Sequence, residues 1–234
     1  MSPSAGKEIQ FGINERAGAV SGLFLKPQGA RALLLLAHGA GAGMRHRFME
    51  SVALKFADRG VATLRYQFPY MEKRIKRPDS ESVLTETVRA AVLAAKKTAG
   101  ELPLFAGGKS MGGRMTSLAA ASAPLDGVRG LVFFGFPLHA AGRPGAERGG
   151  HLAGIDLPML FLQGSRDTLA DLKLLKPVCK GLKHAELFIV EGGDHSFHML
   201  KSARKSDEEV LDELVGKTAD WMVTMSSLGR NLEL

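Results

Sequence analysis

The stretch Gly107–Gly113, GGKSMGG, concentrates glycine around a lysine and a serine in this 234-residue sequence. Two chemistries use such a loop. A phosphate loop wraps backbone N–H groups around a phosphate, and it needs a glycine five positions before the Gly of its Gly-Lys-Ser. That position is Pro103, which has no N–H to offer, so the phosphate reading fails. The other chemistry presents the serine as a nucleophile on a tight strand-to-helix turn, G-x-S-x-G, met here by Gly108, Ser110 and Gly112. Small flanking residues let the strained turn form, and the helix that follows aims the positive end of its dipole at the serine.

A serine hydroxyl is a weak nucleophile that needs a base, and the base needs an orienting carboxylate. Where an elbow of this kind occurs, the chain order is serine, acid, histidine. FLQGSRDTLA sets Asp167 just after a predicted strand, and FIVEGGDHSFH sets His195 just after the last one. Asp171 is a rival carboxylate but suits a helix cap. Asp194 is another, but neighbours in sequence rarely aim at each other, so it is read as a loop residue. His198 is the rival histidine. An oxyanion needs backbone N–H donors. Ala40, in LAHGAGAGM, and Met111, after the serine, are the candidates, with Gly39, Gly108 and Gly112 supporting the turns. His38 is read as fixing its loop by hydrogen bonding. Lys109, beside the serine, is read as directed away from it.

Two basic stretches, MRHRF and EKRIKRP, follow the first two buried strands and carry much of the net charge of +7. Arg45, His46, Arg47, Lys73 and Arg74 either steer an anionic substrate or solvate the rim of the site. Tyr66, Phe68 and Tyr70 either line an acyl pocket or face the core, since alternate residues of a strand face opposite ways. No helix-turn-helix, zinc finger or RNP-type motif accompanies the charge, so no nucleic-acid partner is expected.

The elements that must position these residues alternate between β-rich runs and helical spacing, which predicts an α/β layer protein with a largely parallel sheet. KEIQFGI and AVSGLFL read as an antiparallel edge pair. RALLLLAHG, VATLRYQFP, LPLFAGGKS, VRGLVFFGFP, LPMLFLQGS and AELFIVEGG read as buried strands. Helices are predicted over MRHRFMESVALKFADRG, PDSESVLTETVRAAVLAAKKTAG, MGGRMTSLAAASA, LADLKLLKPVCKGL (interrupted at Pro177) and Ser206 to about Met225. Residues 70–78 read as a polar, basic connection, and Leu138–Asp156 as a glycine-rich loop or small cap.

The length suits one domain, 1–234, and a 45% apolar composition suffices for its core. No apolar run is long enough to span a membrane, and MSPSAGKEIQ lacks a signal-type hydrophobic segment, so a cytoplasmic location is expected. The single cysteine, Cys179, excludes an internal disulfide and a cysteine metal cluster. No cofactor or metal is expected.

Through HGAGAGM, RYQFPY, GGKSMGGR, LFLQGSRD and GGDHSF, the sequence resembles the α/β-hydrolase superfamily along nearly its whole length. More narrowly it resembles the small dienelactone-hydrolase-like proteins, including the branch related to a testis-expressed protein and to a subunit of a chromatin acetyltransferase complex. The resemblance implies an α/β-hydrolase fold: a mostly parallel twisted sheet, helices on both faces and a minimal cap. It also implies a serine hydrolase with Ser110 as nucleophile, His195 as base and Asp167 as acid. Dienelactone hydrolases carry a cysteine where this chain has Ser110, which turns the expectation away from dienelactone itself. The expected substrate is a small ester or thioester. The alternative is a binding or scaffold protein that keeps the fold without turnover.

Overall fold

Ala32–Ala37, the run ALLLLA, is buried along its whole length, and its side chains divide between two cores. Leu33 and Leu35 join one apolar cluster, while Leu34 and Leu36 join the other. This is the alternation that a strand covered on both faces imposes. The strand is β3 of an eight-stranded sheet in a computed structural model that describes residues 6–230. Residues 1–5, part of the stretch read as lacking a signal segment, lie outside the described residues.

The strands are β1 (Lys7–Asn14), β2 (Gly18–Leu25), β3, β4 (Val61–Tyr66), β5 (Leu104–Lys109), β6 (Val128–Phe134), β7 (Met159–Gly164) and β8 (Ala185–Val190), in the order β1-β2-β4-β3-β5-β6-β7-β8. The pairs β1–β2 and β2–β4 are antiparallel, and every later pair is parallel. Parallel neighbours need crossovers, and the helices supply them. Helices α1 (Arg47–Asp58) and α6 (Asp207–Arg230) pack on one face through Val52, Phe56, Leu214 and Trp221. Helices α3 (Glu81–Ala99), α4 (Met111–Ser122) and α5 (Leu172–Gly181) pack on the other through Val88, Met115 and Leu175.

The segment read as polar connection begins within a one-turn helix, α2 (Pro69–Glu72). Proline suits the first helical position, because its missing N–H has no partner there anyway. The Tyr70 N–H is taken by Asp79 Oδ2 at 2.7 Å, and the Tyr70 side chain is buried. Helix α5 runs through Pro177 where an interruption was expected. Pro177 gives up one backbone bond, but Leu175 and Cys179 on either side of it are held in the core, and packing outweighs the local preference. The glycine-rich segment after β6 holds a 3₁₀ helix, Glu147–Gly154, whose Leu152 packs into the core beneath it.

The turns after β3, β5, β7 and β8 lie together at the carboxyl end of the parallel strands, where open α/β sheets place their sites.

Candidate active site

Ser110 lies between β5 and α4 with φ 52° and ψ −118°, a backbone conformation that disfavours any residue with a Cβ. The surroundings enforce it. Its N–H donates to the Phe134 carbonyl at 3.0 Å, which ties the turn to β6. A Cβ on Gly112 would stand 2.5 Å from the Ala37 carbonyl oxygen, and one on Gly108 would stand 2.4 Å from that same atom. Only glycine at both positions lets α4 leave the strand this close to β3. The Ser110 hydroxyl is thereby held at the N-terminus of α4.

Two loops complete a chain of hydrogen bonds. The Ser110 Oγ stands 2.8 Å from His195 Nε2, and His195 Nδ1 stands 2.6 Å from Asp167 Oδ2. An ionised carboxylate only accepts, so Nδ1 carries the ring proton and Nε2 is left to accept from the serine. Asp167 has no side-chain exposure, and its oxygens are fully engaged. Oδ1 accepts from the Leu169 N–H at 2.7 Å, and Oδ2 also accepts from the Gln163 amide. Gln163, at the end of β7, is itself fixed because its Oε1 accepts from the Phe136 N–H at 2.9 Å. Such a chain can move a proton from the serine to His195 as the serine oxygen attacks an electrophile.

The rival residues have other partners. Asp171 caps α5 through the Lys173 N–H at 2.8 Å. Asp194 Oδ1 accepts from the N–H groups of Ser196 and His198, at 2.8 and 2.9 Å, and so shapes the turn that carries His195. His198 pairs with Asp207 at 2.6 Å.

The loop after β3 is built largely by the residues that follow β4. His38 Nε2 accepts from the Phe68 N–H at 3.1 Å, so its proton is on Nδ1, 2.8 Å from the Gly39 carbonyl. Burial pushes the His38 imidazole down to about 4, which keeps it neutral and able to accept. The Tyr70 hydroxyl accepts from the Gly41 N–H at 3.0 Å, Gln67 Oε1 accepts from the Met44 N–H at 2.8 Å, and Arg65 Nη1 donates to the Met44 carbonyl at 3.2 Å. The Ala42 N–H donates to the Gly39 carbonyl at 3.2 Å. The amides of Gly39 and Ala40 are left without an acceptor among the described residues, as is that of Met111 at the start of α4.

A cavity of ≈ 860 Å³ opens beside Ser110 and His195 and runs along α1 to the start of α6, past Ala40, His46, Phe48 and Asp207. No residue of the glycine-rich segment after β6 lines it. The expected rim divides accordingly. His46 and Arg47 line the cavity, whereas Arg45 is bound to Glu8 at 3.0 Å on the surface and Arg74 is exposed away from the cavity wall. Tyr70 is corrected from rim candidate to buried prop of the loop after β3. Tyr66 and Phe68 are likewise fully buried in the core. The ring of Tyr70 stays covered because its hydroxyl finds a backbone donor inside.

Gln163 and Lys109 are the supports that sequence reading passed over. The signal for Gln163 is an amide closing an otherwise apolar strand, four residues before the acid. Lys109, read as directed away from Ser110, lines the same cavity as the serine. Its Nζ donates to the carbonyl of His195 at 2.6 Å.

The sheet order, the strained serine turn and the Ser-His-Asp chain define the α/β-hydrolase class. Residues 30–223 match the family described as alpha/beta hydrolase domain, and the chain belongs to it. Its fold is shared with a dienelactone hydrolase from Anabaena variabilis, with a TM-score of 0.72 and 20% identity over 93% of this chain and 96% of that one. A serine hydrolase homologue from Coxiella burnetii superposes at 0.73, with 17% identity over 91% and 97%. A serine hydrolase without a lid from Xanthomonas campestris gives 0.72, with 17% identity over 94% and 97%. At these identities the likeness is one of fold, and family and fold together support hydrolase activity in general. No helix among the described residues is long and apolar enough to cross a membrane.

Proposed function

We propose that the protein is a serine hydrolase of small carboxylic esters or thioesters, working through an acyl-enzyme. Ser110 attacks the carbonyl carbon while His195 Nε2 takes its proton, and Asp167 holds the imidazole tautomer and stabilises the cation that forms. The amides of Ala40 and Met111 donate to the oxyanion. His195 then returns the proton to the leaving group, and water activated by the same histidine releases the acyl group. The observation that carries this reading is the 2.8 Å contact between Ser110 Oγ and His195 Nε2, itself anchored on a buried carboxylate. The unspent amides beside the serine support the oxyanion assignment.

The same motifs favour the dienelactone-hydrolase-like proteins of the testis-expressed and acetyltransferase-subunit branch, with a serine in place of the cysteine nucleophile. Strands from residue 7 to residue 190 share one sheet, which supports a single domain over 1–234. A lone, buried Cys179, whose thiol burial pushes up to about 12, suits a reducing, cytoplasmic setting.

The test is labelling with a fluorophosphonate probe alongside hydrolysis of short p-nitrophenyl esters. Labelling of the intact chain, lost in Ser110→Ala together with turnover, is the expected result. An unlabelled, inert chain that retains a partner through Ser110→Ala would instead establish the scaffold reading.

A further inference from the structure

Lys109 is a cation placed where the mechanism assigns none. It ends β5, one residue before the serine, and its side chain crosses to the loop after β8. There Nζ lies 2.6 Å from the His195 carbonyl oxygen, above the rings of Phe48 and Phe197 at 5.9 and 5.5 Å. Gly135, just past β6 and at φ 67°, lies directly beside this contact. A Cβ there would stand 3.0 Å from Nζ and 3.1 Å from the His195 oxygen.

The loop being held needs holding. Phe197 is a non-glycine residue at φ 67°, a conformation that persists only where its surroundings over-determine it. Those surroundings are the Asp194 cap within the loop, the stacking of Phe197 on Phe48, with centroids 6.2 Å apart, and Lys109 from across the site. Of these, only Lys109 comes from the strand that presents the nucleophile.

We propose that Lys109 is a positioning residue, whose ammonium clamps the His195 carbonyl and so keeps the imidazole in register between Ser110 and Asp167. The catalytic part of this proposal rests on the serine-hydrolase reading above, while the clamp itself does not.

The clamp has a pH dependence. Burial lowers Lys109 to about 8, against the pull of Asp167 and Asp194, which raise it. The loop after β8 presents His195 and His198 to the shared cavity, α1 presents His46, Arg47 and Lys55, and α6 presents Asp207 and Glu208. Below about 8 the ammonium donates a charge-assisted bond. Above it, a neutral amine donates a weaker one. The loop therefore loosens as pH rises through that value, in the direction opposite to the acid limb that a histidine base produces.

The experiment compares Lys109→Met and Lys109→Arg with the unmodified chain. The first readout is hydrogen exchange of residues 192–198, which needs no substrate. Lys109→Met is expected to lose protection there by tenfold or more, with the core helices unchanged. The unmodified chain is expected to lose it between pH 7 and 9 after correction for intrinsic exchange. The second readout is kcat against pH. Lys109→Met is expected to fall 10- to 100-fold at pH 7 with KM within about twofold, and to lose the alkaline limb near pH 8. Lys109→Arg keeps the cation and is expected to recover protection and to carry the plateau beyond pH 9. Unchanged exchange of residues 192–198 in Lys109→Met overturns the clamp even if no ester is turned over. An unchanged alkaline limb in that variant overturns its role in catalysis. An inert chain whose loop still loosens in Lys109→Met instead overturns the hydrolase reading and leaves the clamp standing.

Discussion

Asp167 and His195 come from loops after adjacent parallel strands, and their side chains meet at 2.6 Å between Oδ2 and Nδ1. The contact is prepared from beneath. Gln163 holds the same carboxylate oxygen while its own carbonyl is fixed by the backbone of Phe136. The carboxylate therefore reaches the histidine with its orientation already set by two donors, from Gln163 and Leu169.

Replacing the acid by its amide tests that orientation. Asp167→Asn retains the shape but removes the charge and allows the wrong tautomer of His195. A drop in kcat of roughly 10³- to 10⁴-fold is expected, the size of effect such a change has in triad enzymes. Steady-state kinetics on the best p-nitrophenyl ester measure it, and a loss under tenfold would remove Asp167 from the acid role.

Tyr70→Phe takes away the acceptor of the Gly41 N–H. Gly41 is exposed, so its freed amide turns to water and the lost bond costs about 0.5–1.5 kcal/mol, while the Ala40 donor next to it shifts. A lower denaturation midpoint is expected, with a kcat decrease of up to roughly 10²-fold and little change in KM. Wild-type kcat in this variant would place the oxyanion donors elsewhere.

His38 should set part of the acid lability. Its folded-state value, about 4, lies below the 6.5 of the free side chain, so between these values the unfolded chain binds a proton that the folded chain does not. Stability is then full above pH 6.5 and is lost as pH falls towards 4, by roughly 3 kcal/mol in all. Urea midpoints at pH 7, 6, 5 and 4 should fall more steeply for the unmodified chain than for His38→Gln, which takes up no proton. Parallel curves would mean that His38 is already protonated in the fold.

Gly112→Ala puts a methyl group 2.5 Å from the Ala37 carbonyl oxygen and 2.6 Å from that of His38. Neither backbone atom can swing aside, so a loss of about 1–3 kcal/mol or more is expected by denaturant titration. Gly12→Ala is the control. A Cβ there meets nothing within 4 Å, and its effect should stay within about 0.5 kcal/mol.

Local signals suffice for much of this molecule. Continuous apolar runs marked the buried strands, glycines around Ser110 marked the turn, and chain order pointed to Asp167 and His195. The strands and the turn are readable because each is enforced within a few residues, by pleat alternation or by the steric demands of a tight bend. Pro177 shows the limit, since its local preference to break α5 was overruled by Leu175 and Cys179 in the core. The supports of the site were hidden for the same reason. Tyr70 has the sequence context of a rim aromatic, yet its hydroxyl accepts from Gly41, and Lys109 donates to the His195 carbonyl, 86 positions away. Sequence determined which residues stand where strands end. Only the tertiary structure decided which side chains cross between those ends, because a hydrogen bond is set by distances in space that no spacing along the chain encodes.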